Sequence, residues 1–342
     1  MRSNRIVPVA LGVLGVLLIA AAAILAWVIV PGRTELPADT NTVRDFSGTA
    51  RVLLDPRAVA AGDLRNALLV DAPVTAQRTV KVLATDGDAA QVSDRRTVAV
   101  QGGQQVGGTD VTYAVDRKTL EGASGFPDSW DAVQPNGLTV SWAIGAEQKD
   151  YPVWVNETQT SATAKFVRTE EKNGVDTYVY EVATATAPIK DQQVLGSLPT
   201  NLPGTTIAAL ASRLPLPDDQ KALLAQALPT LGAQVPLSYT YESTSTVWVE
   251  PTTGLVVDTE RRETRKAGIG SVGAVPIYDV STSFTDQSVQ AAVDDATDKK
   301  DDINRLGTTW PWIIAIVGIV LLVIALLLFF LGRRRVRPSP PA

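Results

Sequence analysis

Two long apolar runs enclose a stretch in which apolar and polar positions alternate. Ile6 to Val30 is 25 residues without a charge, and Trp310 to Leu331 is a second such run of 22. Each exceeds the roughly 20 residues that a helix needs to cross a hydrocarbon core. Between them Val111, Tyr113 and Val115 alternate with Asp110, Thr112 and Asp116. Leu138, Val140, Trp142 and Ile144 do the same against Thr139, Ser141 and Ala143, as do Leu237, Tyr239 and Tyr241 against Ser238, Thr240 and Glu242. Period two predicts antiparallel strands with one buried face. Turn residues divide the runs: Asp86-Gly87-Asp88 between strands near 78–85 and 90–100, Lys172-Asn173-Gly174 between 162–170 and 175–184, and Pro251-Thr252-Thr253-Gly254 between 237–250 and 255–264. Asn-Gly is a strong hairpin signal. With further runs near 46–54 and 275–285, about 10–12 strands are expected, in a barrel-like or sandwich arrangement.

One stretch departs from alternation. Residues 188–236 are rich in Leu, Ala and Pro, and two short helices fit them. One starts at Thr205 or Thr206 and runs to Arg213. The other opens on Pro217, Asp218 and Asp219 and runs through Leu228, with acids in its first turn where they complement the helix dipole. Leu223, Leu224, Ala227 and Leu228 form its apolar stripe. Such a stripe reads either as core under a cap on the β-domain or as a mobile, lipid-contacting lid.

Charge gives the apolar runs a direction. Arg2 and Arg5 precede the first, and Arg333, Arg334, Arg335 and Arg337 follow the second. Basic flanks are retained in the cytoplasm, so both termini are expected there. Trp27, Trp310 and Trp312 then fall at the outer interface, where amphipathic indoles anchor spans. Arg2 and Arg5 with Ala20 to Ala23 also fit a secretory signal, but the apolar part of a signal is about 7–15 residues. This one continues to Val30, which favours an uncleaved anchor and leaves cleavage as the rival reading.

The expected organisation is therefore residues 1–5 cytoplasmic, 6–30 a first transmembrane helix, 32–309 an extracytoplasmic β-rich domain with a helical insertion at 188–236, 310–331 a second transmembrane helix, and 332–342 a basic cytoplasmic tail. The protein would sit in the plasma membrane. The formal charge of −5 partitions into six cytoplasmic arginines and about −11 outside. So acidic an ectodomain offers no footprint for nucleic acid. The charge run Asp294 to Asp302 lacks the glycine turn and spaced oxygens of a calcium loop and reads as a solvated stalk beside the membrane.

With no Cys and no His, disulfides, Cys/His metal sites, thiol nucleophiles and histidine triads are excluded. The glycine-rich stretch 102–108 lacks the Lys-Ser/Thr of a phosphate loop. Paired acids such as Asp218/Asp219 are adjacent in sequence, which does not set them across a substrate. Nothing points to a catalytic residue, a cofactor or a metal, and the reading is non-enzymatic.

Three stretches carry a family resemblance: Val115-Asp116-Arg117-Lys118-Thr119, Tyr151-Pro152-Val153-Trp154, and Val247-Trp248-Val249-Glu250-Pro251-Thr252-Thr253-Gly254-Leu255-Val256-Val257-Asp258. With the two terminal spans they resemble actinobacterial membrane proteins of the porin PorA family, long a domain of unknown function. They are strand-and-turn signatures, and Trp154 and Trp248 share a Val-Trp-Val triplet. The alternation with charged and hydroxyl residues differs from the apolar outer band of a membrane β-barrel. Terminal spans around a β-rich ectodomain are also similar in topology to the CD36 class, which implies an enclosed lipid tunnel. The expected function is a binding or transfer module for a hydrophobic, lipid-like ligand, through an apolar cavity opening toward the membrane or the 188–236 cap. Leu223, Leu224, Leu228, Trp142, Trp154 and Trp248 are the ligand or lid candidates. The bilayer is one partner, and an envelope lipid or envelope protein a second. The rival functions are a scaffold that binds envelope proteins and an oligomeric channel.

Overall fold

The computed structural model describes residues 6–29, 34–100, 102–103, 105–227, 229, 233–269 and 273–334. Two compact units result, Leu36–Ala296 and the paired terminal segments Met1–Glu35 with Thr297–Ala342.

In the larger unit β1 (Asn41–Leu54), β2 (Leu68–Asp86), β3 (Ala89–Val100), β4 (Gln105–Asp116), β5 (Tyr151–Val155), β6 (Thr160–Lys172), β7 (Val175–Ala183), β10 (Val235–Val249), β11 (Val256–Ile269) and β12 (Ala274–Phe284) form one sheet. Their order is β4-β3-β2-β1-β12-β11-β10-β7-β6-β5, and two-residue strands β8 (Ala187–Pro188) and β9 (Asn201–Leu202) also pair with β10. The hairpin turns fall where their glycines predict: Gly87 (φ 57°), and Asn173 and Gly174 (φ 49° and 82°), the positive pair of a tight two-residue connection. Register shifts at Ala50/Val52, Val82/Ala84, Val98/Ala99, Phe166/Arg168, Trp248/Val249 and Arg265/Lys266 bend the long strands. Bulges of this kind raise local twist, and the sheet curls into a half-barrel.

The alternating stretch 138–144 is not a strand, a departure from its periodicity. It belongs to an irregular segment that joins the two sheet edges. Val133 bridges Tyr113 of edge strand β4, and Leu138 bridges Val153 of edge strand β5. Ala114 N–H donates to Val133 O (2.9 Å) and Trp154 N–H to Leu138 O (2.8 Å). Beyond Leu138 the chain spends its backbone groups on the β10–β11 turn instead of a ladder, with Trp142 N–H donating to Gly254 O (3.1 Å) and Ala146 N–H to Pro251 O (2.7 Å). Val140 and Trp142 still alternate inward because the segment crosses the mouth of the half-barrel. Gly254 (φ 71°) is required there: a Cβ would lie 2.4 Å from Trp142 O.

Apolar clusters fill both ends of the curled sheet. At one, Leu138, Val140 and Trp142 pack on Tyr151, Tyr180, Val247 and Val249. At the other, the 188–236 insertion supplies Val194, Ile207, Leu210, Leu214 and Leu216 against Val52, Leu68, Tyr239 and Ile277. The insertion holds three helices, α3 (Gln192–Ser197), α4 (Gly204–Ala211) and α5 (Asp218–Ala227), one more than its composition predicts. Asp191 caps α3 through the Gln193 N–H (2.8 Å), as a side-chain acceptor at a helix start does. Short α2 (Pro56–Ala60) is capped in the same way by Asp55.

The acidic run 294–302 is helical: it lies in α6 (Asp286–Asn304). Its acids face water, yet Val289, Ala292, Val293 and Ala296 bury against Trp248, Val257, Val175 and Val179 on the convex side of the sheet. Each fully buried valine contributes roughly 1.5–3 kcal/mol, so α6 is docked by the turns before the run and by Ala296, and the rest of the run is solvated.

The smaller unit pairs α1 (Ile6–Ile24) with α7 (Trp310–Arg334). Pro8, Gly15 and Ala22 are the buried positions of α1, and Pro311, Gly318 and Ala325 those of α7. Both sets step by seven, the period of a coiled seam. Gly12 meets Ala325 while Gly15 meets Gly318 and Leu322, so the helices run antiparallel. A Cβ on Gly15 would fall 2.7 Å from Gly318 O and one on Gly318 2.8 Å from Gly15 O. Close approach through small residues is how apolar helices gain packing energy in lipid, where burying more hydrocarbon gains nothing. The outward faces are Val, Leu, Ile and Phe.

A Cβ built on Gly12 lies 3.8 Å from Ala325 Cβ, the separation a disulfide prefers. In this cysteine-free chain, Gly12→Cys with Ala325→Cys should therefore oxidise to an intramolecular disulfide in membranes. Adding Gly15→Leu should cut the yield several-fold on non-reducing gels; an unchanged yield would refute the seam.

Candidate functional site

The cavity enclosed by the curled sheet is about 200 Å³, with walls drawn from β1–β5, β7, β10, β11, β12 and the 138–142 segment. Its middle belt is charged. Strand alternation turns Arg261, Glu263 and Arg265 of β11 to the same side as Tyr241 of β10, which in register faces Arg265. Arg78 of β2 faces Arg96 of β3.

The ion pairs differ in quality. Arg78 and Asp94 form a closed bidentate pair, Nε to Oδ1 at 2.9 Å and Nη2 to Oδ2 at 2.7 Å, and Arg78 Nη2 also donates to Thr139 O at 3.0 Å. Burial alone would raise the Asp94 carboxyl, but the Arg78 guanidinium outweighs it and holds it below its ordinary value. The remaining charges share partners. Glu263 Oε1 receives Arg261 Nη2 at 2.9 Å and the Tyr241 hydroxyl at 3.0 Å, with Arg96 Nη1 3.6 Å away. Arg265 Nη2 stands 4.0 Å from Glu157 Oε1, and its guanidinium lies 4.7 Å from the centre of the Tyr278 ring. Burial pushes Glu263 up, and Arg261, Arg96 and Arg265 together more than reverse it, holding the carboxyl down at about 2. Burial raises the hydroxyls of Tyr113, Tyr241 and Tyr278, which stay protonated. Arg78, Arg96 and Arg261 keep 21%, 23% and 28% of their side-chain surface exposed, so water reaches the belt.

The expected apolar tunnel is not what the sheet encloses. An apolar cavity does sit under the insertion, among Leu54, Ile207, Leu210, Leu214, Tyr239 and Ile277, but it measures about 40 Å³. That is room for little more than a methylene group or two, far from an acyl chain.

The sequence candidates are scattered. Trp142 and Trp154 line the charged cavity, and Trp142 packs on the Tyr180 ring at 5.2 Å. Trp248 lies on the opposite side of the sheet, beneath α6 and 4.4 Å from Lys172 Nζ, so the two Val-Trp-Val triplets are not equivalent. Leu223 is 60% exposed on α5; the Leu224 side chain and Leu228 lie outside the described residues. The cap's apolar face comes from α4, whose Ile207, Leu210 and Ala211 have helical spacing. Trp27, Trp310 and Trp312 are exposed at the ends of the spans. Arg2, Arg5, Arg335 and Arg337 lie outside the described residues.

The charged belt itself escaped sequence reading. Its signal was the run Glu260-Arg261-Arg262-Glu263-Thr264-Arg265-Lys266, polar at both parities in the middle of a central strand. A strand facing a dry core alternates; this one does not.

Glu263 contributes stability above its ordinary carboxylate range, and that contribution is lost as pH falls from about 4.5 toward 2. Glu263→Gln should cost about 3–5 kcal/mol at neutral pH, because it leaves guanidinium groups unpaired, and should flatten this part of the acid limb. Thermal unfolding of the full chain in detergent between pH 2 and 7 checks both; an acid limb identical to the parent's would refute the assignment.

A family model described as Porin PorA matches residues 7–327. A curated "Porin PorA" of Corynebacterium resistens is 23% identical over 314 residues, covering 73% of this chain and 76% of the relative. Among solved structures, a mutant of Rh. blastica porin covers 72% of this chain and 99% of its own at 9% identity and a TM-score of 0.17. A MaoC domain dehydratase of Chloroflexus aurantiacus covers 77% and 80% at 12% identity and 0.14. Scores this low establish no shared fold with either.

Proposed function

Because the chain belongs to the Porin PorA family, an envelope membrane protein with two apolar terminal helices, we propose that its curled sheet is a non-enzymatic binding compartment for small polar solutes. The observation that carries this is the charged, water-reached belt inside the sheet. A wall of guanidinium, carboxylate and hydroxyl groups gives a lipid chain no dispersion partner and gives a polar solute many. Asp94 and Glu263 are held ionised by neighbouring arginines, which suits binding.

The expectation of a lipid-like ligand loses its support with the apolar tunnel. The relative's title, porin, implies passage of solutes. In this chain the apolar ends of the curled sheet stand between the belt and an open pore, and the spans carry no charged residue to line one. Binding within the sheet is therefore the better-supported form of solute handling. We infer further that the first span is retained, since removing it would leave the Gly318 seam of α7 without its partner, and that the arginine-flanked termini face the cytoplasm. On that reading the β-domain lies outside the plasma membrane.

The cysteine-free background makes the compartment testable. Thr259→Cys, on the cavity wall, should react with a small charged methanethiosulfonate reagent. Val249→Cys, at a fully buried site, should react at least about tenfold more slowly. Equal, slow reaction at both would mean a dry core and would sink the reading. A lipid copurifying at one per chain, lost on replacing cavity residues, would restore the hydrophobic alternative.

A further inference from the structure

We propose that the compartment is an oxyanion site, taking a phosphate, sulfate or small carboxylate against Arg261 and Arg96; this rests on the compartment reading above and names its ligand. Two independent observations lead there.

The first is charge. The Arg78–Asp94 pair is closed on itself, two short bonds on matched atoms. What remains is three guanidinium groups, Arg96, Arg261 and Arg265, against two carboxylates, Glu157 and Glu263. Glu263 Oε1 is shared between Arg261 and Arg96, and Glu157 reaches Arg265 only at 4.0 Å. One positive charge is left over in a part-buried space, where water compensates it poorly.

The second is hydrogen-bond polarity. Among the described residues that line the cavity, the buried polar side-chain atoms without a partner are Arg261 Nε, Trp142 Nε1 and Trp154 Nε1, and Arg265 Nε, outside the lining, is in the same state. All four are N–H donors. A cavity built for a neutral sugar or amide would leave acceptors open as well as donors. Sulfate and carboxylate accept only, and phosphate accepts through its unprotonated oxygens; planar guanidinium groups match such oxygens in pairs. The volume of about 200 Å³ has room for one such ion with some of its water. Where the spare donors are met by the ion, the sharing of Glu263 among cations is relieved.

The experiment is calorimetric titration of the full chain in dodecyl maltoside, which itself carries no oxyanion, with sodium sulfate, sodium phosphate and, at matched ionic strength, sodium chloride. Sulfate or phosphate should give a saturable one-site isotherm and a raised unfolding temperature, and chloride neither. Arg261→Gln should weaken binding at least about tenfold, in line with losing a charged hydrogen bond. Should that variant fail to fold, Arg261→Lys keeps the charge while removing the planar fork, and should weaken binding several-fold. Absence of a saturable isotherm, equal binding of chloride, or both Arg261 variants binding like the parent would overturn the proposal. Thr259→Cys labelling in the same preparation separates the failures: a labelled cavity without binding refutes the oxyanion alone, and an unlabelled one refutes the compartment.

Discussion

A curled antiparallel sheet has two free edges, and satisfying them is the constraint on which the β-domain depends. Unpaired N–H and C=O groups along β4 and β5 would template association with other chains. Residues 133–138 occupy both edges with short bridges, and the chain then folds over the opening, where the β10–β11 turn receives it. The turn residues that carry the family resemblance acquire a physical role in this arrangement. Glu250, fully buried, accepts the Thr253 N–H at 2.8 Å. Gly254 presents its carbonyl to both Trp142 N–H and the Ser141 hydroxyl. Without that docked turn the closing segment would have no partner for its backbone, and the sheet would have no inside.

Having an inside raises the question of what fills it. Burying ion pairs is a poor way to gain stability, since apolar residues of similar volume do as well or better. The ends of the curled sheet are in fact filled that way, with Tyr180, Val247 and Val249 at one and Ile207, Leu210 and Ile277 at the other. The belt between them could have continued the same packing. Instead β11 turns Arg261, Glu263 and Arg265 inward, between Val256, which packs on one apolar cluster, and Ala267, which belongs to the other. Charge confined to one level of an otherwise apolar interior argues for a retained use and against incidental placement.

Most of the architecture was legible in the residues. Period two with glycine and asparagine turns locates the hairpins, because alternation and positive φ are local properties. The spans follow from length, and α5 from the acids Asp218 and Asp219 of its first turn; α4 instead starts at Gly204 after Pro203 with no side-chain cap, so Thr205 and Thr206 lie inside it and neither caps it. What escaped depends on closure. Leu138 to Ile144 alternate like a strand, yet Leu138 makes only an isolated bridge to β5, and Ser141 and Trp142 bond to a turn more than a hundred residues later. Period two reports that one face is covered without saying whether by side chains or by a wet cavity, which is why the interior was expected to be apolar. Trp142 and Trp154 were recognised as candidates by residue type. Arg261 and Arg265, in a strand polar on both faces, resembled solvent-facing residues. The acidic run is solvated as its charges imply, but its helix and its one buried position, Ala296, are not legible in it, because the apolar positions that seat α6 lie mainly before it, at Val289, Ala292 and Val293.

The charge of the β-domain acquires a second meaning once its interior is known. About −11 spread over the exterior of residues 32–309 repels small anions at long range, while the belt within carries the opposite excess. At physiological ionic strength the screening length is about 8 Å, so the outer acids have little reach through salt water. The part-buried guanidinium groups, less screened, act on whatever enters the cavity. Selection would therefore be local, made by donor geometry after entry, and attraction from bulk solvent would add little. A slow, salt-tolerant uptake fits a tethered compartment better than it fits a conducting pore, where a long-range field must draw ions to the mouth. The same division runs through the whole chain: hydrocarbon packed on glycine in the spans, apolar ends on the curled sheet, and charge kept to the one level where water can reach it.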